Sequence, residues 1–212
     1  MRIRFYEQPE QLNVELIRMG ALCEESISCA VKALFDENSE AMIARVNANE
    51  EEIDNLERAV ESLCMKLLLR QQPVAGDLRA ISSALKMISD MERIGDQSQD
   101  IAELAEFIRS SELVGKVHIS EMAKETVNMV TTGIESFVRK DSGLVQKTID
   151  MDDNVDRLFL EVKNELIALI REDAEDAEYY LDLLMAAKYL ERIGDHATNI
   201  AEWVNFSITG ER

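Results

Sequence analysis

Two short stretches carry the residue types that can do chemistry. "ERIGDQSQDIAE" (92–103) and "ERIGDHATNIAE" (191–202) agree at eight of twelve positions, 99 residues apart. Unrelated segments agree at roughly one position in twenty. On a helix each residue turns about 100°, so residues four apart share a face. Glu92 and Asp96 therefore form one acidic pair, and Glu191 and Asp195 another. Upstream, "EEEID" sets Glu50 and Asp54 at the same spacing, and "DDNVD" sets Asp152 and Asp156. If each helix pair folds back on itself about a turn, near residue 72 in one case and 173 in the other, the upstream and downstream pairs reach the same level within about one helical turn. Each half then presents four carboxylates to one small volume.

Four carboxylates that close repel one another, and their proton affinities rise unless positive charge intervenes. Hard cations supply that charge, because carboxylate oxygen is their preferred ligand. The alternative is that these acids lie on solvated helix faces and pair with Lys or Arg, as most single acidic pairs at this spacing do. Two such pairs at matching heights, placed twice, favour the cation. Gly95 and Gly194 lie inside both repeated stretches, where glycine costs a helix roughly 1 kcal/mol against alanine. Either a cluster, its anion or a neighbouring backbone needs that space, or two helices pack closely there. Arg93 and Arg192 read as ordinary surface partners. His196, about 140° around the helix from Glu191, points away from the acids, so it is not expected as a ligand. His118 carries no signal. No phosphate-cradling glycine loop, zinc-protease motif, nucleophile elbow or Glu-x-x-His pair occurs, so catalysis is not expected.

Helical periodicity fills the chain that positions these acids. One apolar stripe runs from Leu12 to Leu34, a second from Ile43 to Leu68, and a third helix is predicted from about Leu78 to Ile108. "DENS" (36–39) separates the first two with capping residues, while Pro73 and Gly76 break the pattern after the second. Beyond "RSSELVGKV" the order repeats: a helix near 120–139, a break at "KDSG", a long helix to about Arg171, an N-cap at Asp173, and a last helix to about Phe206. The internal match extends past the repeated stretches, with Phe35 on Phe137 and Ile53 on Val155 at an offset of 102, and Asp77 on Asp176 at 99. The three-residue difference falls in a connection, where length changes are tolerated. The prediction is an all-α chain of two tandem, pseudo-repeated three-helix up-down bundles, 1–110 and 111–212.

Composition agrees. Among 212 residues only two are proline and eight glycine, while 46% are hydrophobic, a helical and globular balance. The net charge of −19 opposes a phosphate backbone, so no nucleic-acid partner is expected. Three cysteines without metal-knuckle spacing suit a reduced cytoplasmic protein. The start, "MRIRFYEQPE", shows no signal-peptide core, and no apolar run reaches the ~20 residues that span a bilayer, so no membrane insertion is expected. The ten methionines read as core fillers.

Two copies of "ERIGDxxxxIAE", each with an upstream acid-x-x-x-Asp, in two three-helix halves, resemble the PhoU family over essentially the whole chain. Asp90 standing opposite Tyr189 in the repeat departs from internal symmetry, so the two sites need not be equivalent. The resemblance implies a cytoplasmic, non-catalytic regulator of phosphate uptake. Such a protein works with the phosphate-specific ABC transporter and a sensor histidine kinase, holds the phosphate-starvation response off when phosphate is plentiful, and forms a homodimer. It also implies metal ligation by Glu50, Asp54, Glu92 and Asp96 in one half, and by Asp152, Asp156, Glu191 and Asp195 in the other. Iron suits an all-oxygen shell better than zinc, although zinc or another divalent cation also accepts carboxylates. A carboxylate-bridged metalloenzyme and a metal-free helical scaffold are the alternatives.

Overall fold

The computed structural model describes residues 3–35, 39–71, 75–105, 107, 117–172 and 174–211. Among them the chain forms six helices: α1 (Ile3–Ala33), α2 (Glu40–Gln71), α3 (Ala75–Leu104), α4 (Ile119–Arg139), α5 (Ser142–Glu172) and α6 (Ala177–Thr209). Within each half all three helices pack on one another, which makes two tandem three-helix up-down bundles. The halves then join along α3 against α6 and α1 against α4.

The ends of the helices differ from expectation where chemistry weaker than periodicity decides. α1 starts at Ile3, well before the apolar stripe begins at Leu12; a formed helix extends at one hydrogen bond per residue without needing an apolar face. α3 starts at Ala75, so Gly76 lies in its first turn and does not break the pattern. A first-turn N–H has no intrahelical acceptor anyway, and the position is tolerant. α3 stops at Leu104, short of Ile108, and turns through Ala105, whose N–H donates to Ala102 O (3.2 Å). Between α4 and α5, Lys140 takes the left-handed conformation (φ 52°). Asp141 then caps α5, its Oδ1 accepting from the Gly143 N–H at 2.7 Å. The expected capping at 36–38, the Pro73 break and the Asp173 N-cap lie outside the described residues.

α3 and α6, like α1 and α4, each pack against three other helices. α3 buries Ile81, Met87, Ile88, Met91, Ile94 and Ile101; α6 buries Leu183, Leu190, Ile193, Ile200 and Val204. These belong to one contiguous apolar cluster that crosses the seam. Each large side chain so buried is worth about 1.5–3 kcal/mol. The α1–α4 contact depends on Gly20, because a β-carbon there would overlap the Ile134 side chain. Met19, Met87, Met91, Met122 and Met129 fill the core, whereas Met65 and Met185 are exposed. All three cysteines are free, and burial pushes the Cys64 thiol up to about 11. Among the described residues, no helix is long and apolar enough to cross a membrane.

Candidate functional site

The α2–α3 pair brings together the four acids of the first half. Burial raises the Glu50 carboxyl above its ordinary range, and the charges of Asp54 and then Asp96, across on α3, push it further. Burial likewise raises Glu92, helped by Asp96 and, from α2, by Glu57 and Asp54. Glu50 thus faces the Asp96 end and Asp54 the Glu92 end, the antiparallel register expected from distances to the turn. Glu57, one helical turn beyond Asp54, is a fifth acid that sequence reasoning passed over; its Oε1 accepts from the Ser89 hydroxyl at 3.3 Å.

The α5–α6 pair does the same in the second half. Burial raises Asp152, and Asp156 and then Asp195 across on α6 raise it further. Asp195 is raised by burial and by Glu191, with Lys188 and His196 opposing. Asp156 and Asp195 stand at the exposed rim, while Asp152 and Glu191 are half-buried. The Thr198 hydroxyl lies beside Asp152 and opposes its shift, yet it falls short of hydrogen-bond geometry and is buried without a partner.

Each glycine faces side chains of the helix before it. A β-carbon on Gly95 would approach Ile53 Cδ1 to 3.1 Å; one on Gly194 would meet Val155 Cγ1 at 3.4 Å and Asp152 Oδ1 at 3.7 Å. Close packing therefore accounts for Gly95. At Gly194 the same gap also borders a carboxylate.

These acids fit a hard cation in kind. Every candidate ligand atom is a carboxylate oxygen, and four of the carboxyls have proton affinities raised first by burial and then by neighbouring carboxylates. Among the described residues no three such groups converge closely enough to hold one ion as they are placed. Basic side chains draw some of them aside: Arg58 Nη1 holds Asp54 at 3.0 Å, Arg93 Nη1 holds Asp96 at 3.0 Å with its Nε 3.4 Å from Glu92, and Lys188 pairs with Glu191. The Arg58 and Arg93 pairs, half-exposed and each within one helix, are worth about 1 kcal/mol or less, so turning them aside costs little.

A model of the PhoU domain matches this sequence twice, at residues 16–105 and 119–204. The chain belongs to the PhoU family. Among its PhoU relatives is a phosphate-specific transport system accessory protein PhoU homolog of Pseudomonas aeruginosa, 34% identical over 98% of this chain and 86% of that protein. A homolog of the same description from Clostridium acetobutylicum is 31% identical over 98% of this chain and 95% of its own length. The crystal structure of PhoU from Pseudomonas aeruginosa superposes with a TM-score of 0.87 at 32% identity, covering 97% of this chain and 99% of that one. The crystal structure of the phosphate transport system regulatory protein PhoU from Streptococcus pneumoniae gives 0.85 at 25% identity, covering 95% of each.

His196 and Asp90 have a place in this PhoU fold that the sequence did not announce. His196 Nδ1 lies 2.9 Å from Asp90 Oδ1 and its Nε2 lies 3.3 Å from Gln97 Nε2, while Asn199 Nδ2 donates to Asp90 at 3.3 Å. Gln97 and His196 are repeat mates, 99 residues apart. Their contact therefore sits near the pseudo-twofold axis between α3 and α6. The imidazole faces the other half and not the acids of its own hairpin. His118 also has a role: its backbone N–H donates to Glu165 Oε2 at 3.0 Å and its ring pairs with the same carboxylate, tying the start of α4 to α5.

Proposed function

We propose that this chain is an accessory regulator of phosphate transport, a non-catalytic helical adaptor between the phosphate-specific ABC transporter and its sensor kinase. In this reading it acts in the cytoplasm, as a homodimer, and keeps the phosphate-starvation response off when phosphate is plentiful. Its halves, 1–110 and 111–212, each carry one metal centre: Glu50, Asp54, Glu92 and Asp96 in the first, Asp152, Asp156, Glu191 and Asp195 in the second. The observation that carries the reading is the PhoU-domain match in both halves, at the positions where the structure sets facing acids across a helix pair. The names of its relatives, accessory and regulatory proteins of phosphate transport, support the rest.

A bound cation, iron by donor chemistry with zinc or another divalent ion as the alternative, supplies the positive charge these acids lack and ties α2 to α3 and α5 to α6. An adaptor can bias its partners only through different affinities for their different states. No nucleic acid enters this account, because a net charge of −19 opposes it. The test is a starvation-gene reporter in a deletion strain without a paralogue. Expression in phosphate-rich medium is expected, with repression restored by the wild-type gene. Normal repression in the deletion strain contradicts the role. A metal-free scaffold is the second reading, favoured by the Arg58–Asp54 and Arg93–Asp96 pairs; metal analysis of protein purified without chelator separates the two.

A further inference from the structure

We propose that the two carboxylate sites are graded: cations fill the first half ahead of the second, because Lys188 is a resident cation that must leave the second site first. This rests on the metal reading above. Counting charges does not separate the sites. The first sets five carboxylates, with Glu57 included, against Arg58 and Arg93 (5 − 2 = 3); the second sets four against Lys188 (4 − 1 = 3). Placement separates them.

Arg58 pairs with Asp54 on α2, and Arg93 with Glu92 and Asp96 on α3. Each guanidinium stays on its own helix, more than half exposed, with side-chain exposures of 62% and 59%. Neither guanidinium pairs across from α2 to α3. Lys188 instead bridges two helices. Its ammonium lies 5.5 Å from the centre of the Phe159 ring on α5, pairs with Glu191 on α6, and acts on Asp195 one turn further along. Glu191 is the best-covered carboxylate of the four ion pairs at these sites, 16% exposed against 21% for Glu92, 35% for Asp54 and 36% for Asp96. A charge held between a ring face and a desolvated carboxylate is bound more firmly than one on a wet helix face.

The repeat shows how the difference arises. At the offsets that align the halves, Ser89 takes the place of Lys188, and Glu57 the place of Phe159. The first half therefore has a hydroxyl and an extra carboxylate where the second has an ammonium and the ring beneath it. Ser89 donates to Glu57 at 3.3 Å, and the Glu57 charge acts on Glu92, so a fifth carboxylate stands at the first site. The same two substitutions add a ligand to one site and a competitor to the other.

The experiment is a titration of the full-length, metal-stripped protein with Mn²⁺ alone, following the free ion by electron paramagnetic resonance. Wild type is expected to show two classes of site. Glu50→Gln with Asp96→Asn should remove the tighter class, and Asp152→Asn with Asp156→Asn the weaker. Lys188→Met keeps the stem over Phe159 and removes the charge; it should tighten the weaker class about fivefold, the upper range for one half-exposed charge pair, and leave the tighter class alone. Ser89→Lys should weaken the tighter class, so the idea stays exposed if Lys188→Met folds poorly. A single class of equal sites overturns the grading, as does a tighter class lost with Asp152 and Asp156, or affinities that neither lysine variant moves. No Mn²⁺ binding by wild type overturns the metal reading itself, and the grading with it.

Discussion

The α2–α3 and α5–α6 helix pairs carry the same acid spacing, yet they differ in what stands one turn away from it. In the first pair the acids meet arginines of their own helices and a fifth carboxylate, Glu57; in the second they meet a lysine braced on Phe159 across the helix pair. Arg93 stays beside Glu92 and Asp96, whereas its repeat mate Arg192 acts on Asp100 across the seam and on Tyr189 of its own helix. A repeated stretch thus places equivalent acids, and the unrepeated neighbours decide the charge around them. Duplication preserves geometry more readily than electrostatics.

The largest expected contrast is in packing beneath the acids. Ile53 is buried against Gly95, and Val155 against Gly194. Ile53→Ala should cost about 2–5 kcal/mol in denaturant unfolding of the metal-stripped protein. Val155→Ala removes one methylene fewer and should cost less, by about 1 kcal/mol. Equal losses would mean that the two helix pairs are not packed alike under their acids.

A second contrast is with pH. Glu50, Glu92, Asp152 and Asp195 all have folded-state proton affinities raised, first by burial and then by neighbouring carboxylates. For an acid raised on folding, the stability it contributes is fully present below its unfolded pKa and is lost as pH rises through the folded pKa. The metal-stripped protein should therefore gain stability as pH is lowered from neutral into the window just above the ordinary carboxylate range, near 4. Below that window the trend reverses, because Glu25 is held low by Arg45 and that stabilisation is lost as Glu25 protonates. Glu50→Gln and Asp152→Asn should each flatten the gain. A chemical-denaturation series across pH checks this, and a monotonic loss of stability on acidification would contradict it.

The smallest contrast lies at the glycines. Alanine recovers roughly 1 kcal/mol of helix propensity. At Gly194 the nearest atom, Val155 Cγ1, stands at 3.4 Å, so Gly194→Ala should be neutral to stabilising by up to about that amount. At Gly95 the 3.1 Å approach of Ile53 must be relieved first, and Gly95→Ala should gain less or lose slightly. Thermal melts of the two variants side by side decide the order.

Much of this arrangement was legible before any coordinates. Equal distances from the turn put Glu50 near Asp96 and Asp54 near Glu92, because helical rise is uniform and both helices are unbroken between acid and turn. The side of His196 was readable too, since angle along one helix is a local quantity. What that helix meets is not local. The Asp90–His196 contact, the α3–α6 seam and the overlap that makes Gly20 necessary beside Ile134 join residues far apart in the chain, and periodicity marks a buried face without naming its partner. Lys188 and Glu57 were missed for another reason. They lie outside the repeated stretches, so attention to what matches between the halves passed over what differs.

The central claim is that the eight carboxylates hold metal, and the most direct measurement is elemental analysis of protein purified without chelator. Wild type is compared with a variant carrying both Asp96→Asn and Asp195→Asn, each checked for an unchanged helical signal by circular dichroism. The account predicts bound transition metal in the wild type and a sharp fall in the folded double variant, together with a lower melting temperature once stabilisation by the bound ion is gone. Wild type without metal, or a folded double variant with the same metal content as wild type, would contradict it.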